Sequence, residues 1–169
     1  MPDDTNKPEA AEIKQTLWKK MADSPYVMIG LTGARRHAEP MTAQLDKDSV
    51  DTLWFFAGRD NRLAAGGEAA CEFVSKGHDF FASMSGSVSV SNDQAQIDKL
   101  WNPQAAAWFE GGRDDPNLAL IRFDIAQAEL WETDISLTGR LKMLFGGTID
   151  YSESSSYAKV DTTAEGTPA

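Results

Sequence analysis

The chain has 169 residues, 41% of them hydrophobic, plus 13 glycines; this excludes disorder throughout and leaves room for one domain of ordinary size. Lys and Arg number 16 against 26 Asp and Glu, a net charge of −10, so nucleic acid and anionic membranes are repelled and are not expected partners. No apolar run approaches the roughly 20 residues a bilayer span needs. The N-terminus has no apolar signal core, and the lone Cys71 allows neither an intrachain disulfide nor a C-x-x-C site; together these predict a cytoplasmic protein.

Lys7 to Met21 predicts a helix. Pro8 suits its first turn, and Ile13, Leu17 and Met21 recur at i, i+4, i+8 as one apolar stripe. Ser24-Pro25 ends it. Tyr26 to Leu31 reads as a buried strand and Thr32 to Pro40 as a loop. Met41 to Leu45 alternates as a second strand. Asp46 to Ser49 is turn chemistry, and Thr52 to Ala57 is an aromatic third strand that should pair with the second as a hairpin. Arg62 to Glu68 predicts a helical turn or two. Strands follow over Ala70 to Ser75 and Phe80 to Ser91, the latter with a bulge or bend at Gly86. Asn92 or Asp93 caps a helix to about Leu100, Pro103 starts a short helix through Phe109, and Leu118 to Trp131 is the last long strand. About six strands without a βαβ rhythm predict a small closed β-barrel with an N-terminal helix and short joining helices. The barrel domain is expected over residues 8–145. Residues 146–169 hold little apolar matter and are expected to form a polar, mobile tail.

Two groups of residues could carry chemistry. Arg35, Arg36 and His37 precede the second strand, and Arg59 and Arg62 follow the third. A hairpin of those strands brings both groups to one end of the barrel. Convergent arginine forks match phosphate oxygens, and Asn61 with the N–H groups of the next helical turn adds to such a site. The same arginines, exposed, can equally be solvated or paired with the many carboxylates. On the third strand Trp54 and Phe56 share one face and Phe55 takes the other. One face fills the barrel, and the other either lines a flat slot or packs as ordinary core. Trp101 and Trp108 wall a pocket or form a lid over one barrel end.

Other signals are absent. His37 and His78 lack metal-ligand spacing, and no nucleophile motif occurs. Asp114-Asp115 before Pro116 reads as turn chemistry rather than acid–base catalysis. The Gly-Gly pairs do not make a dinucleotide or phosphate loop.

Several segments in order resemble the general stress protein branch of the pyridoxamine phosphate oxidase-like, FMN-binding split-barrel superfamily. They are Pro40-Met41-Thr42-Ala43, Leu53-Trp54-Phe55-Phe56, Arg59-Asp60-Asn61-Arg62, Met84-Ser85-Gly86-Ser87-Val88 and Leu100-Trp101-Asn102-Pro103. The run Ala107-Trp108-Phe109-Glu110 continues through Arg113-Asp114-Asp115-Pro116 to Ile121, and Glu129-Leu130-Trp131 closes the set. The likeness spans roughly Glu9 to Trp131.

The resemblance implies a split β-barrel, a homodimer and a flavin at the subunit interface. FMN is expected rather than FAD or NAD, since one basic cluster suits one phosphate. The resemblance places Arg62 where a lysine or arginine grips the FMN phosphate. With it, Arg36, Met41, Thr42, Phe55, Phe56, Asn61, Trp101 and Trp108 are the cofactor-binding candidates; no catalytic or metal residue is expected. Relatives often carry arginine just before the Pro-Met pair, where this chain has Glu39. The implied function is a flavin-binding stress-response protein acting as a weak flavin-dependent oxidoreductase. Pyridoxamine phosphate oxidase activity is not expected, because the C-terminus is Ser/Thr/Asp-rich rather than basic. Two alternatives stay open: a dimeric scaffold whose flavin site has decayed, which Glu39 favours, and a reductase using deazaflavin or free flavin as substrate.

Overall fold

A computed structural model of the chain describes residues 7–33, 37–133 and 155–161. In order come α1 (Lys7–Asp23), β1 (Tyr26–Leu31), β2 (Glu39–Thr42), β3 (Gln44–Leu45) and β4 (Thr52–Gly58). A 3₁₀ turn (Arg62–Ala65), β5 (Gly67–Val74), β6 (Phe80–Ser91), α2 (Gln94–Leu100) and α3 (Pro103–Ala106) follow. A second 3₁₀ turn (Gly112–Asp114), β7 (Leu118–Thr133) and β8 (Ser155–Asp161) complete the set.

The strands form one antiparallel sheet in the order β2-β1-β5-β6-β7-β4-β3. The two ends of that order are consecutive in sequence, joined through Ala43. The sheet therefore closes on itself, and residues 39–45 act as one bent strand shared between its two ends. Counted that way the sheet has seven strands, the six the sequence predicts and β8, which pairs with β7. The predicted hairpin holds for half of the second strand. Gln44 and Leu45 pair with Trp54 and Leu53, whereas Glu39 to Thr42 turn away and pair with β1. Buried Ala43 marks the bend, and its N–H is satisfied by the Pro25 carbonyl at 2.7 Å. The second strand also begins earlier than predicted, because Ile29 supplies Glu39 with a ladder partner.

The interior is filled by residues of β1, β4, β5, β6 and β7, among them Ile29, Leu53, Phe55, Phe73, Phe80, Met84, Ile121 and Phe123. α1 plugs one end with Leu17 and Met21, as its apolar stripe predicts; the Ile13 side chain lies outside the described residues. Lys20 of α1 reaches Asp79 at 2.6 Å, and Asp79 also accepts from the Ser75 hydroxyl at 2.7 Å. Both contacts hold the Asp79 carboxyl below its ordinary value, the lysine most. Cys71 is fully buried, and desolvation pushes its thiol far above the ordinary range, which leaves it inert.

Gly86 bends β6 as predicted: the ladder with β7 shifts register between Ser85 and Gly86. A Cβ at Gly86 would lie 1.9 Å from the Asp124 carbonyl oxygen, so no side chain fits there. β5 starts at Gly67 rather than Ala70, and the turn before it is shorter than predicted. Gly66 and Gly67 have φ of +71° and +120°, which stop the 3₁₀ turn and turn the chain into the sheet. α3 ends at Ala106, short of the predicted Phe109, where Trp108 N–H tightens onto the Ala105 carbonyl at 3.0 Å.

Residues 155–161, inside the segment expected to be a mobile polar tail, instead form β8 along Gln127–Thr133 of β7. β4 covers that edge of β7 only from Leu118 to Asp124. The ladder beyond it is open, and backbone pairing needs no apolar side chains to fill it. The rest of the expected tail lies outside the described residues.

Candidate functional site

The bend at Ala43 creates the site. β3 follows β4 only through Gln44, after which β2 leaves for β1. From Phe56 to Gly58, β4 pairs with β7 on one side, and among the described residues no strand pairs with it on the other. The barrel is split there, and a cleft of about 570 Å³ fills the split. That volume suits a small-molecule site. Pro40, Met41 and Thr42 line one side, Phe56, Ala57 and Gly58 the floor, and Gln104, Ala105, Trp108 and Phe109 the outer wall. Tyr26, Gln44, Asn61 and Asn117 complete it. The lining is apolar and aromatic with four carboxamides and the hydroxyl-bearing Thr42 and Tyr26. Such a surface holds a flat ring by its faces and reads its edges with neutral donors and acceptors.

The outer wall rests on a second apolar cluster outside the barrel. Trp54, Ile97, Leu100, Phe109, Leu118 and Leu120 are its buried members, with Phe56 and Trp101 packed against them. Phe56 and Trp101 meet edge to face, with centroids 5.4 Å apart. Polar ties fix α2 and α3 to the barrel. Asp46, 5% exposed, accepts from Lys99 at 2.7 Å, from Gln96 at 2.8 Å and from the Asp48 N–H at 2.9 Å. The Lys99 and Gln96 contacts bring its carboxyl down to about 2. Asn102 joins α3 to Gln44 of β3 at 2.7 Å.

Asp93, one of the two predicted caps, caps α2 through the Gln96 N–H. Asp115 is turn chemistry, as its sequence context predicts. Its carboxylate accepts from the N–H groups of Gly111 and Asn117 at 3.0 and 2.9 Å. A Cβ at Gly111 would stand 2.9 Å from the Asp115 Cα, so the glycine permits this closed turn. Phe109 and Asn117, which flank this turn in sequence, both line the cleft.

Five of the predicted cofactor-binding residues meet in the cleft: Met41, Thr42, Phe56, Asn61 and Trp108. Asn61 also caps the 3₁₀ turn, accepting from the Leu63 N–H at 2.8 Å. Trp108 is 81% exposed, the most open of the exposed large apolar side chains. Three others stand elsewhere. Phe55 points into the barrel and is fully buried, because the strand's two-residue period puts it on the face opposite Phe56. Trp101 stands behind Phe56 as its support rather than on the cleft surface. Arg62 is exposed beside the cleft, and its Nη1 donates to the His37 carbonyl at 2.9 Å. That bond brings the segment before β2 to the segment after β4, the convergence the hairpin argument predicts. Arg36, with Arg35, lies outside the described residues. Arg59 is turned to the Pro116 carbonyl at 2.8 Å.

Tyr26, Gln44, Gln104 and Asn117 are cleft residues the sequence reading does not single out. Three carboxamides scattered over 73 positions carry no spacing signal. Only the bend at Ala43 and the Asp115 turn bring them together.

Fold and cleft define a split-barrel protein with a cleft of small-molecule size at its split. The pyridoxamine 5'-phosphate oxidase-like family matches residues 12–156, and the chain belongs to that family. A general stress FMN/FAD binding protein from the phytopathogen Xanthomonas citri is 47% identical, with a TM-score of 0.70 over 75% of this chain and 93% of that one. A general stress family protein of Xanthomonas campestris pv. campestris is 45% identical, with a TM-score of 0.70 over 81% and 94%. A general stress protein 26 of Jannaschia sp. CCS1 is 25% identical, with a TM-score of 0.74 over 90% and 99%. No curated protein matches the chain. Among the described residues no helix is long and apolar enough to cross a membrane, and no cluster of potential metal ligands occurs.

Proposed function

We propose that this chain is a flavin-binding stress-response protein whose cleft holds the isoalloxazine ring of FMN. The observation that carries the reading is the cleft itself, with two strand edges, aromatic walls and four neutral carboxamides converging at the split. These suit a flat ring whose polar rim carries both donors and acceptors. Thr42, Asn61 and the edge of β4 would meet that rim, and Phe56, Met41 and Trp108 its faces. Arg62, next to Asn61, keeps four guanidinium N–H donors beyond its His37 bond and would take the phosphate, with Arg36. The family match and the Xanthomonas citri relative, an FMN/FAD binding protein, support the same ligand class. FMN is favoured over FAD because one short basic segment flanks the cleft and no dinucleotide fingerprint occurs.

A bound flavin supplies two-electron and one-electron redox chemistry of its own. The chain's residues bind and orient the ring and exclude water from its faces. Among the described residues the cleft lining holds neutral side chains only, which suits a weak oxidoreductase. The same reading carries a cytoplasmic homodimer. Tyr26 and Met28 stand 61% and 43% exposed on the outer face of β1, and Tyr26 and Trp108 both border the cleft. A second copy on this face would bury them and complete the cleft.

Titration of the apo-protein with FMN, FAD and riboflavin, followed by flavin fluorescence, tests the proposal. FMN should bind with the greatest affinity. No binding of any flavin would overturn it in favour of a scaffold module, the reading that Glu39 supports.

A further inference from the structure

We infer that Asn102 is the positioning residue of the cleft: it locks the wall carrying Trp108 to the strand carrying Gln44 and so sets the spacing between which a flat ligand fits. The identity of that ligand rests on the flavin reading above; the spacing itself does not.

The Asn102 carboxamide is used at both ends. Its oxygen accepts from the Ala105 N–H at 3.0 Å and caps α3. Its nitrogen donates to Gln44 Oε1 at 2.7 Å and to the Leu100 carbonyl at 3.1 Å. Gln44 in turn donates to the Thr42 carbonyl at 3.4 Å. Thr42, Gln44 and Ala105 all line the cleft, so one line of hydrogen bonds runs from its inner side to its outer wall.

The wall needs this tie. α3 has only four residues, too few to hold a helix by propagation alone. The Asp46 ties to Gln96 and Lys99 end on α2, before the turn into α3. Trp108, with most of its surface open, packs little against its own chain. Its place follows from α3, and among the described residues the Asn102 hydrogen bond to Gln44 links α3 to the barrel.

Asn102→Ser separates the two roles. Serine keeps the cap on Ala105 but is too short to reach Gln44. Two measurements on the full chain decide. The first is hydrogen exchange of the amides of residues 105–109 in the unliganded protein, which should speed up in Asn102→Ser while β4 and β7 are unchanged. The second is riboflavin affinity, which reports the ring without the phosphate. Loss of the hydrogen bond that crosses to Gln44 should weaken it by about three- to tenfold. Combined with Trp108→Ala, the effect should be less than additive, because both changes remove the same wall. A residue that only stabilises the fold would give additive losses.

Unchanged exchange, unchanged riboflavin affinity, or full additivity with Trp108→Ala would each overturn the inference. Should the wild-type chain bind no riboflavin, the flavin reading fails, and the exchange measurement alone decides whether Asn102 holds the wall.

Discussion

The two faces of β4 show what separates the stable part of this molecule from the adaptable part. Phe55 faces inward among Leu53, Phe73 and Phe123, in a core closed on all sides by strands. Trp54 and Phe56 face outward beneath two short helices. The inner cluster is fixed by the sheet's own ladders. The outer cluster is only as well placed as the helices above it, and those hang on a few polar contacts at Asp46 and Gln44. The cleft rests on the second kind of packing, where local opening costs less.

The sharpest way to break the comparison is to truncate one ring on each face. Phe55→Ala should cost about 3–5 kcal/mol, a cavity in a core that cannot collapse. Phe56→Ala should cost markedly less in stability, since the ring is half-buried, yet should remove most of the ring affinity of the cleft. Urea unfolding and riboflavin titration of both variants check this. Equal stability losses would mean the two faces form one core.

Asp46 tests how the outer helices are held. Asp46→Ala should lower stability by about 2 kcal/mol, because charge-assisted bonds to Lys99 and Gln96 are lost. The contact is also acid-labile. The folded carboxyl sits at about 2 against 3.8 ordinarily, so its contribution is complete above the ordinary value and is lost as pH falls from 3.8 through about 2. The lowered Asp79 carboxyl acts in the same sense. Urea unfolding at pH about 5 and about 3 should show a smaller acid loss in Asp46→Asn than in the wild type. The same slope in both would take Asp46 out of the acid response.

The smallest expected effect on the fold is at Arg62. Arg62→Ala should change stability by under about 1 kcal/mol, as for an exposed side chain. It should weaken FMN by roughly ten- to a hundredfold and riboflavin hardly at all. Equal losses for the two flavins would mean that Arg62 shapes the cleft through the His37 carbonyl rather than binding phosphate.

Much of this architecture is legible in the residues alone. The strands β4, β6 and β7, the cap at Asp93, the turn at Asp115 and the bend at Gly86 are local, each set by the conformational preference of a few neighbours. Met41, Thr42, Phe56, Asn61 and Trp108 line the cleft, and the sequence singles them out through its aromatic strand, the segment around Arg62 and the family resemblance. Tertiary structure decided what depends on strand partners. A strand shows that Phe55 and Phe56 face opposite ways but not which one faces the core. Residues 41–45 read as one strand after a loop, and only the competition between β1 and β4 for the backbone of residues 39–45 splits it at Ala43 and opens the cleft. β8 is invisible for the same reason. Ser155–Asp161 has little apolar content to announce a strand, and its order comes from the open ladder of β7, a hydrogen-bonding surface 22 residues upstream of its first residue that no local pattern encodes.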